Sequence, residues 1–227
     1  MLILLLIYAQ MKQRPQFEIV RACEDDCETM CLFLRENYYP FEPINIAMGL
    51  DSGHSIANEA HLLDFVKEGT SLLAVATTPQ KTLLGVCING EIFSDENMIE
   101  IVSNCTCERY AKFLQFIETV DRCSEFWNRV AVERALSSEA LAVLGSVRGQ
   151  GVGKALLEKT LQVAKDDGFP LLRVDCSSYY SAKLAEQMGL ECIYSLPYSE
   201  YKNEDGCQIF DPPSPHVEYK LFIHKFL

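Results

Sequence analysis

Positive charge is scarce in this chain. Twenty Lys and Arg stand against 32 Asp and Glu, a formal net charge of −12 over 227 residues. A surface of that sign repels a phosphate backbone, so nucleic acid is not expected as a partner. Cationic small molecules would be drawn to it. Long apolar runs are also missing: the opening "MLILLLIY" is far too short to span a bilayer. It lacks the basic stretch and small-residue cleavage site of a signal peptide. Residues 1–14 are therefore expected to be a leader or an extra strand, the protein to be cytoplasmic, and no membrane to be a partner. Histidine is rare, at four, and no pair of CxxC motifs accompanies the ten cysteines. Cys105 and Cys107 in "NCTCE" come nearest to a ligand pair, and nothing joins them, so no metal is expected. Free, mostly buried thiols in a reducing compartment are the default. Repeats, low-complexity tracts and linkers are absent. One α/β domain is expected over 15–227, as a monomer.

What is present reads as alternating strands and helices. "FEIVRA" from Phe17 alternates like a strand and leads into acids that suit a helix start, followed by a stripe of Cys27, Met30, Cys31 and Leu34. Tyr38 to Pro43 form an aromatic, proline-rich turn. A helix is expected over Asn58–Lys67, a hairpin from Ser71–Thr78 and Thr82–Phe93, and a helix over Glu108–Trp127. "EALAVLGSV", Glu139–Val147, reads as a strand entering a glycine loop, and "LLRVDC", Leu171–Cys176, as a strand leaving the helix beyond it. "SAKLAEQMG" is a short helix closed by Gly189. Two final antiparallel strands follow.

The glycine loop, "SVRGQGVGKALLEK", carries Gly149, Gly151 and Gly153 into an amphipathic helix, the arrangement that presents unpaired N–H groups to phosphate. A nucleotide-triphosphate P-loop is excluded, because Arg148 stands where its first glycine belongs and Ala155 where it needs a hydroxyl. A dinucleotide loop fits Gly149 and Gly151 but places Lys154 at the third glycine, although Asp175 could serve as the ribose acid. The third pattern, Arg-x-x-Gly-x-Gly at Arg148, Gly151 and Gly153, is similar to the acetyl-CoA pyrophosphate loop of the GCN5-related N-acetyltransferase (GNAT) superfamily. A tight turn needing glycine for its geometry alone is the plainer reading of the same residues.

Three further segments resemble one branch of that superfamily, the insect arylalkylamine N-acetyltransferases, the group that includes dopamine N-acetyltransferase. They are "VDCSSYYSAKLAEQMGLE" from Val174, "NYYPFEPIN" from Asn37 and "PPSPHVEYK" near the C-terminus. The resemblance implies the GNAT fold: a mixed, mostly antiparallel sheet whose fourth and fifth strands splay apart, with flanking helices. It implies acetyl-CoA as co-substrate, held by the backbone of Leu141 and Val143 and by Arg148, Gly149, Gln150, Gly151, Val152, Gly153 and Lys154. It implies acetyl transfer to the amine of an arylalkylamine by direct attack in a ternary complex.

Residue roles follow from the same resemblance. An ammonium must lose a proton before it can attack a thioester, and the leaving thiolate must gain one. Glu42 is implied as base, against the plain reading of an exposed acid in a proline turn. Ser177 is implied as a proton relay, and Ser181 or Tyr180 as the acid, though Ser177 or Ser178 also suits a helix N-cap. His216, Tyr39 and Phe41, with Tyr38, are candidate walls of the amine site, and core packing explains the rings equally well. Lys154 and Lys183 can reach phosphates or simply be solvated. Cys176 raises the alternative of an acyl-cysteine, but strand alternation points its side chain away from Ser177. Tyr179, Leu144 and Val147 depart from the group's usual residues near the amine and acyl sites. Another amine, a longer acyl-CoA, or a non-catalytic CoA-binding module therefore stand as alternatives to an aromatic-amine acetyltransferase.

Overall fold

The computed structural model describes residues 15–49 and 56–226; the leader or strand expected at 1–14 lies outside them. Seven strands form one sheet in the order β1-β2-β3-β4-β5-β7-β6. These are β1 Phe17–Arg21, β2 Leu72–Ala76, β3 Leu83–Phe93, β4 Arg134–Val143, β5 Leu171–Cys176, β6 Glu191–Pro197 and β7 Glu218–Lys225. Every pairing is antiparallel except β4 with β5. The helices are α1 Cys27–Asn37, α2 Pro43–Ala47, α3 Ile56–Val66, α4 Met98–Asn104, α5 Glu108–Ser124, α6 Phe126–Val130, α7 Val152–Asp166 and α8 Tyr179–Gln187.

Apolar spacing decides how these pack. On α7, Val152, Leu156, Leu157, Val163 and Ala164 recur at helical intervals and bury against one face of the sheet with Leu84, Leu136 and Leu172. The first two turns of α7 lie so close to β3 that a Cβ on Gly85 would sit 3.0 Å from Leu156 and 3.1 Å from Val152. On the opposite face α1 and α3 cover Val86, Ile88, Ala140 and Ala142. The far half of that face is built around Phe116 of α5, whose ring meets those of Tyr201, Phe210 and Tyr219 edge-on at 4.9–5.3 Å.

Several boundaries differ from the sequence reading, each for a local reason. The helix expected to reach Trp127 stops at Ser124, because Glu125 turns left-handed at φ 51° before α6 starts. The strand expected over 139–147 instead runs from Arg134 to Val143, and 145–147 form a 3₁₀ turn. Its polar start hid it: Ser137 and Ser138 are buried, and Ser138 joins Cys87, Thr160 and Asn89 in a hydrogen-bonded cluster beneath α7. Helix α8 begins two residues earlier than expected, and Gly189 closes it at φ 75°. Helix α4 was not anticipated.

Candidate active site

The site is set by how β4 and β5 meet. Only three residue pairs join them, Leu136 with Leu172, Ser137 with Arg173 and Ser138 with Val174. Beyond Ser138 a bulge intervenes: Ser138 pairs with Asn89 and Ala140 with Ile88, so Glu139 has no partner across the ladder. A bulge bends and twists its strand, and from this point β4 diverges from β5. Leu144 N–H bonds to the Leu84 carbonyl across the end of the β3–β4 ladder. By antiparallel alternation Ala142 also faces β3, and Leu141 and Val143 turn their backbone groups into the wedge. The fourth and fifth strands thus splay as expected, with the two predicted backbone positions on the open edge.

The glycine loop lies at the end of β4. Gly149 and Gly151 adopt φ of 75° and 96°, and nothing stands within 4 Å of where a Cβ would be. Gly151 is the N-cap of α7, and no side chain caps it, so the first N–H groups of α7, at Val152, Gly153 and Lys154, lack helical acceptors. That is a cradle fit for a diphosphate. The side chains around it have partners within the fold. Arg148 donates from Nε to the Val143 carbonyl and from Nη2 to the Asn37 carbonyl, both at 3.1 Å, and its guanidinium covers the Phe41 ring at 4.4 Å. Arg148 therefore ties the loop to the aromatic turn. Gln150 bonds within the loop to the Ser146 carbonyl, Val152 is buried and can offer only its backbone, and Lys154 reaches Glu158 at 3.5 Å. Lys183 lies over the Tyr179 ring.

Glu42 is buried and lies beside Ser177, the residue that follows β5. It is the N-cap of α2, its Oε1 accepting from Ile44 N–H at 3.1 Å and Oε2 from Asn45 N–H at 2.6 Å. Burial pushes its pKa above the carboxylate range, while these two N–H groups and the Ser177 hydroxyl, within hydrogen-bonding reach, pull it back. Tyr198, absent from the sequence reading, donates its hydroxyl to the Ser177 carbonyl at 2.7 Å. Its hydroxyl lies in the field of Glu42, and burial with that charge raises its pKa.

The serines separate into two roles. Ser178 is the N-cap of α8, accepting from Ser181 N–H at 3.0 Å, which leaves Ser177 free to face Glu42. The Ser181 hydroxyl donates to the Ser178 carbonyl at 3.0 Å and lies 2.8 Å from the Ser178 hydroxyl. It also supports the Cys176 thiol, which burial pushes up to about 12. Cys176 is wholly buried in the core beneath α7, as strand alternation implied. Tyr180 is 65% exposed, with the His216 ring 5.8 Å away. His216 Nδ1 accepts the Tyr179 N–H at 3.1 Å, leaving Nε2 to carry the proton of a neutral ring, and desolvation lowers its pKa.

Two predicted pocket walls are placed otherwise. Tyr39 packs in the core with Met30 and Leu34, 2% exposed, and Phe41 supports Arg148. The neighbouring ring, Tyr38, is the one whose hydroxyl lies in the field of Glu42. Asp175, the candidate ribose acid, is engaged by Arg173 at 2.5 Å and by the Tyr219 hydroxyl at 2.7 Å. Arg173 also pairs with Asp121 at 2.7 Å. With its acid so occupied, the dinucleotide reading loses its second element. Among the described residues no His, Cys, Asp and Glu side chains group as a metal site requires, and no helix is long and apolar enough to cross a membrane.

Residues 121–190, which hold the end of α5, the splayed strands, the glycine loop and α8, match the Acetyltransferase (GNAT) family. Whole-chain similarity extends further. A mosquito arylalkylamine N-acetyltransferase like 5b is 29% identical and superposes with a TM-score of 0.86 over 93% of this chain and 100% of that one. A Drosophila melanogaster polyamine N-acetyltransferase, which catalyses formation of N-acetylagmatine, is 27% identical with a TM-score of 0.84 over the same shares. Arylalkylamine N-acetyltransferase 2 from Aedes aegypti, at 22% identity, shares the fold with a TM-score of 0.86 over 92% of this chain and 98% of that one. Strand order, splay, glycine loop and these likenesses agree: the chain has the GNAT fold, with residues 121–190 matching that family, and superposes on insect arylalkylamine and polyamine N-acetyltransferases over nearly its whole length.

Proposed function

We propose that the protein transfers an acetyl group from acetyl-CoA to a small primary amine by direct attack in a ternary complex. The observation that carries this reading is Glu42, a buried carboxylate of raised pKa beside Ser177 at the end of β5, the strand from which β4 splays. Acetyl-CoA, held by the N–H groups of Val152, Gly153 and Lys154 and by the edge at Leu141 and Val143, supplies the activated acyl group. Glu42 accepts the ammonium proton, directly or through the Ser177 hydroxyl, and its charge holds the cationic amine. A carboxylate whose pKa is raised is a stronger base than an ordinary one. Tyr180, exposed at the start of α8 beside His216, is better placed than Ser181 to return a proton to the departing thiolate. The Ser181 hydroxyl already donates to a carbonyl, and a phenol is also nearer a thiol in acidity. An acyl-cysteine has no support from Cys176, since a thiol that titrates near 12 in a packed core is not a nucleophile at neutral pH.

Thiol release from acetyl-CoA in the presence of tyramine, dopamine, tryptamine, histamine, spermidine or an amino acid tests the reading. Turnover with any amine, with lines that intersect in initial-rate plots, is the expected result. CoA that raises the melting temperature while every amine remains unreacted would instead favour the non-catalytic module.

A further inference from the structure

Tyr198 has no part in the proton transfers above, yet it holds the residue that stands beside Glu42. Its hydroxyl donates to the Ser177 carbonyl at 2.7 Å. The need for that donor comes from the chain around Ser177. The β5–β7 ladder ends where Cys176 pairs with Lys220, so Ser177 is the first residue beyond it. A helical donor would be the Ser181 N–H, four residues on, but the Ser178 hydroxyl takes that group as the N-cap of α8. A partly buried carbonyl left without a donor is unfavourable. Tyr198 supplies the donor from the turn that follows β6.

The tyrosine is rigid at its other end. It is 1% exposed, and its ring packs in the cluster of Phe116, Phe210 and Tyr219. Its N–H bonds to the Val217 carbonyl at 3.1 Å, and the neighbouring His216 accepts the Tyr179 N–H. The turn from β5 into α8 is therefore tied twice to the segment that enters β7. Ile44 belongs to the same buried cluster as Tyr198, and its N–H holds Oε1 of Glu42. One packed cluster thus fixes both partners, Glu42 through Ile44 and the Ser177 backbone through the Tyr198 hydroxyl.

Resting on the roles given above to Glu42 and Ser177, we propose that Tyr198 is a positioning residue whose hydroxyl fixes the Ser177 backbone so that the serine hydroxyl stays within reach of Glu42. Tyr198→Phe keeps the ring in its cluster, so the fold is retained, but it frees the carbonyl and lets the turn relax. A displacement of about 1 Å near reacting groups can lower a rate about 100-fold, and kcat should fall about 10–100-fold. Affinity for CoA should be unchanged, because α7 and its cradle pack in a different cluster. The Ser177 hydroxyl lowers the Glu42 pKa, so its departure raises that pKa and moves the acid limb of kcat to higher pH. The titratable groups that face Glu42 are the hydroxyls of Tyr38 and Tyr198, and burial keeps both neutral over that range.

The test is a double-mutant cycle of Tyr198→Phe and Ser177→Ala, with circular dichroism to check folding. It is read by kcat against pH for the best amine of the panel above, and by carbon-13 NMR titration of the Glu42 carboxyl, which needs no turnover. Support is a Tyr198→Phe variant whose Glu42 titration shifts upward as in Ser177→Ala, with little further change in the double variant, since residues that act through one contact are not additive. Effects of the two substitutions that multiply overturn the proposal, because Tyr198 would then act by another route. A lower melting temperature with unchanged kcat and unchanged Glu42 titration also overturns it, leaving Tyr198 a packing residue and the transferase reading intact. A Glu42 titration that Ser177→Ala leaves unmoved removes the contact on which the proposal stands and overturns it. The expected titration shifts with no amine acetylated by the wild type support the positioning role and overturn the transferase reading alone.

Discussion

Replacing Glu42 by Gln removes the proposed base while keeping its shape, and the structure sets the size of each consequence. Oε1 and Oε2 each accept one backbone N–H, from Ile44 and Asn45. An amide keeps one acceptor and sets an N–H group against the other N–H. Loss of a helix N-cap of this kind costs about 0.5–2 kcal/mol. A domain stable by about 5–15 kcal/mol remains roughly 99% folded after such a loss, so unfolding cannot account for more than a trivial drop in rate. Loss of a general base lowers kcat/KM by about 10²–10⁴-fold. The two effects differ by enough to be told apart in one preparation.

The pH profile separates them again. Wild-type kcat/KM should fall as pH drops through the raised Glu42 pKa, because the protonated carboxyl accepts no proton; Glu42→Gln should lack that limb. On stability the sign is opposite. A carboxyl whose folded pKa is raised by burial contributes stability fully present below the unfolded pKa and lost as pH rises through the folded one. Glu42→Gln should therefore show less decline over that window. The assay is initial rate against pH with saturating acetyl-CoA, paired with thermal melts. A variant within threefold of wild type at pH 8 would refute the role given to Glu42.

Three other outcomes follow from the geometry. Gly151→Ala puts a Cβ at φ 96°, a strain of about 1–2 kcal/mol in the cradle itself, and should weaken CoA affinity measured calorimetrically more than it lowers kcat; unchanged affinity would remove the loop from the site. Arg173→Met removes a buried cation and leaves the half-buried Asp121 and Asp175 facing each other without it, and should cost about 3–5 kcal/mol in urea unfolding, with a loss below 1 kcal/mol counting against that account. Cys176→Ala should retain sequential kinetics and acetyl transfer, and an acetyl group isolated on Cys176 of the wild type would contradict direct attack.

Features coded by neighbouring residues were legible in the sequence, and features made by tertiary geometry were not. The strand Leu171–Cys176 and the turn from Arg148 into α7 depend on apolar runs and on glycines whose backbone no other residue readily adopts. Ser177 and Ser178 both looked like caps; only the path of α8 assigns the cap to Ser178 and turns Ser177 to Glu42. "YY" at 38 and 39 shows two rings, but which enters the core depends on a 3₁₀ turn over Tyr39–Phe41. Tyr198 and Arg173 act through partners 21 and 52 residues away, and no local pattern announces such contacts. In the sequence Glu139 reads as the start of a strand, because the bulge that isolates it is a property of two strands together.

The three-rung junction between β4 and β5 has a consequence for how the molecule would respond to the co-substrate proposed for it. The sheet is nearly two ribbons, β1 to β4 and β5 to β7, sharing a short seam at one end. A pantetheine chain pairing along Leu141 and Val143 would act as a transient strand, extending the ladder where the polypeptide leaves it open. Cohesion between the ribbons then becomes a function of metabolite concentration, gaining about 2.7 kcal/mol at a hundredfold excess over Kd. The amides of the diverging segment should exchange with solvent fastest in the unliganded protein and slow most on CoA binding, so that hydrogen exchange along β4 reads out occupancy.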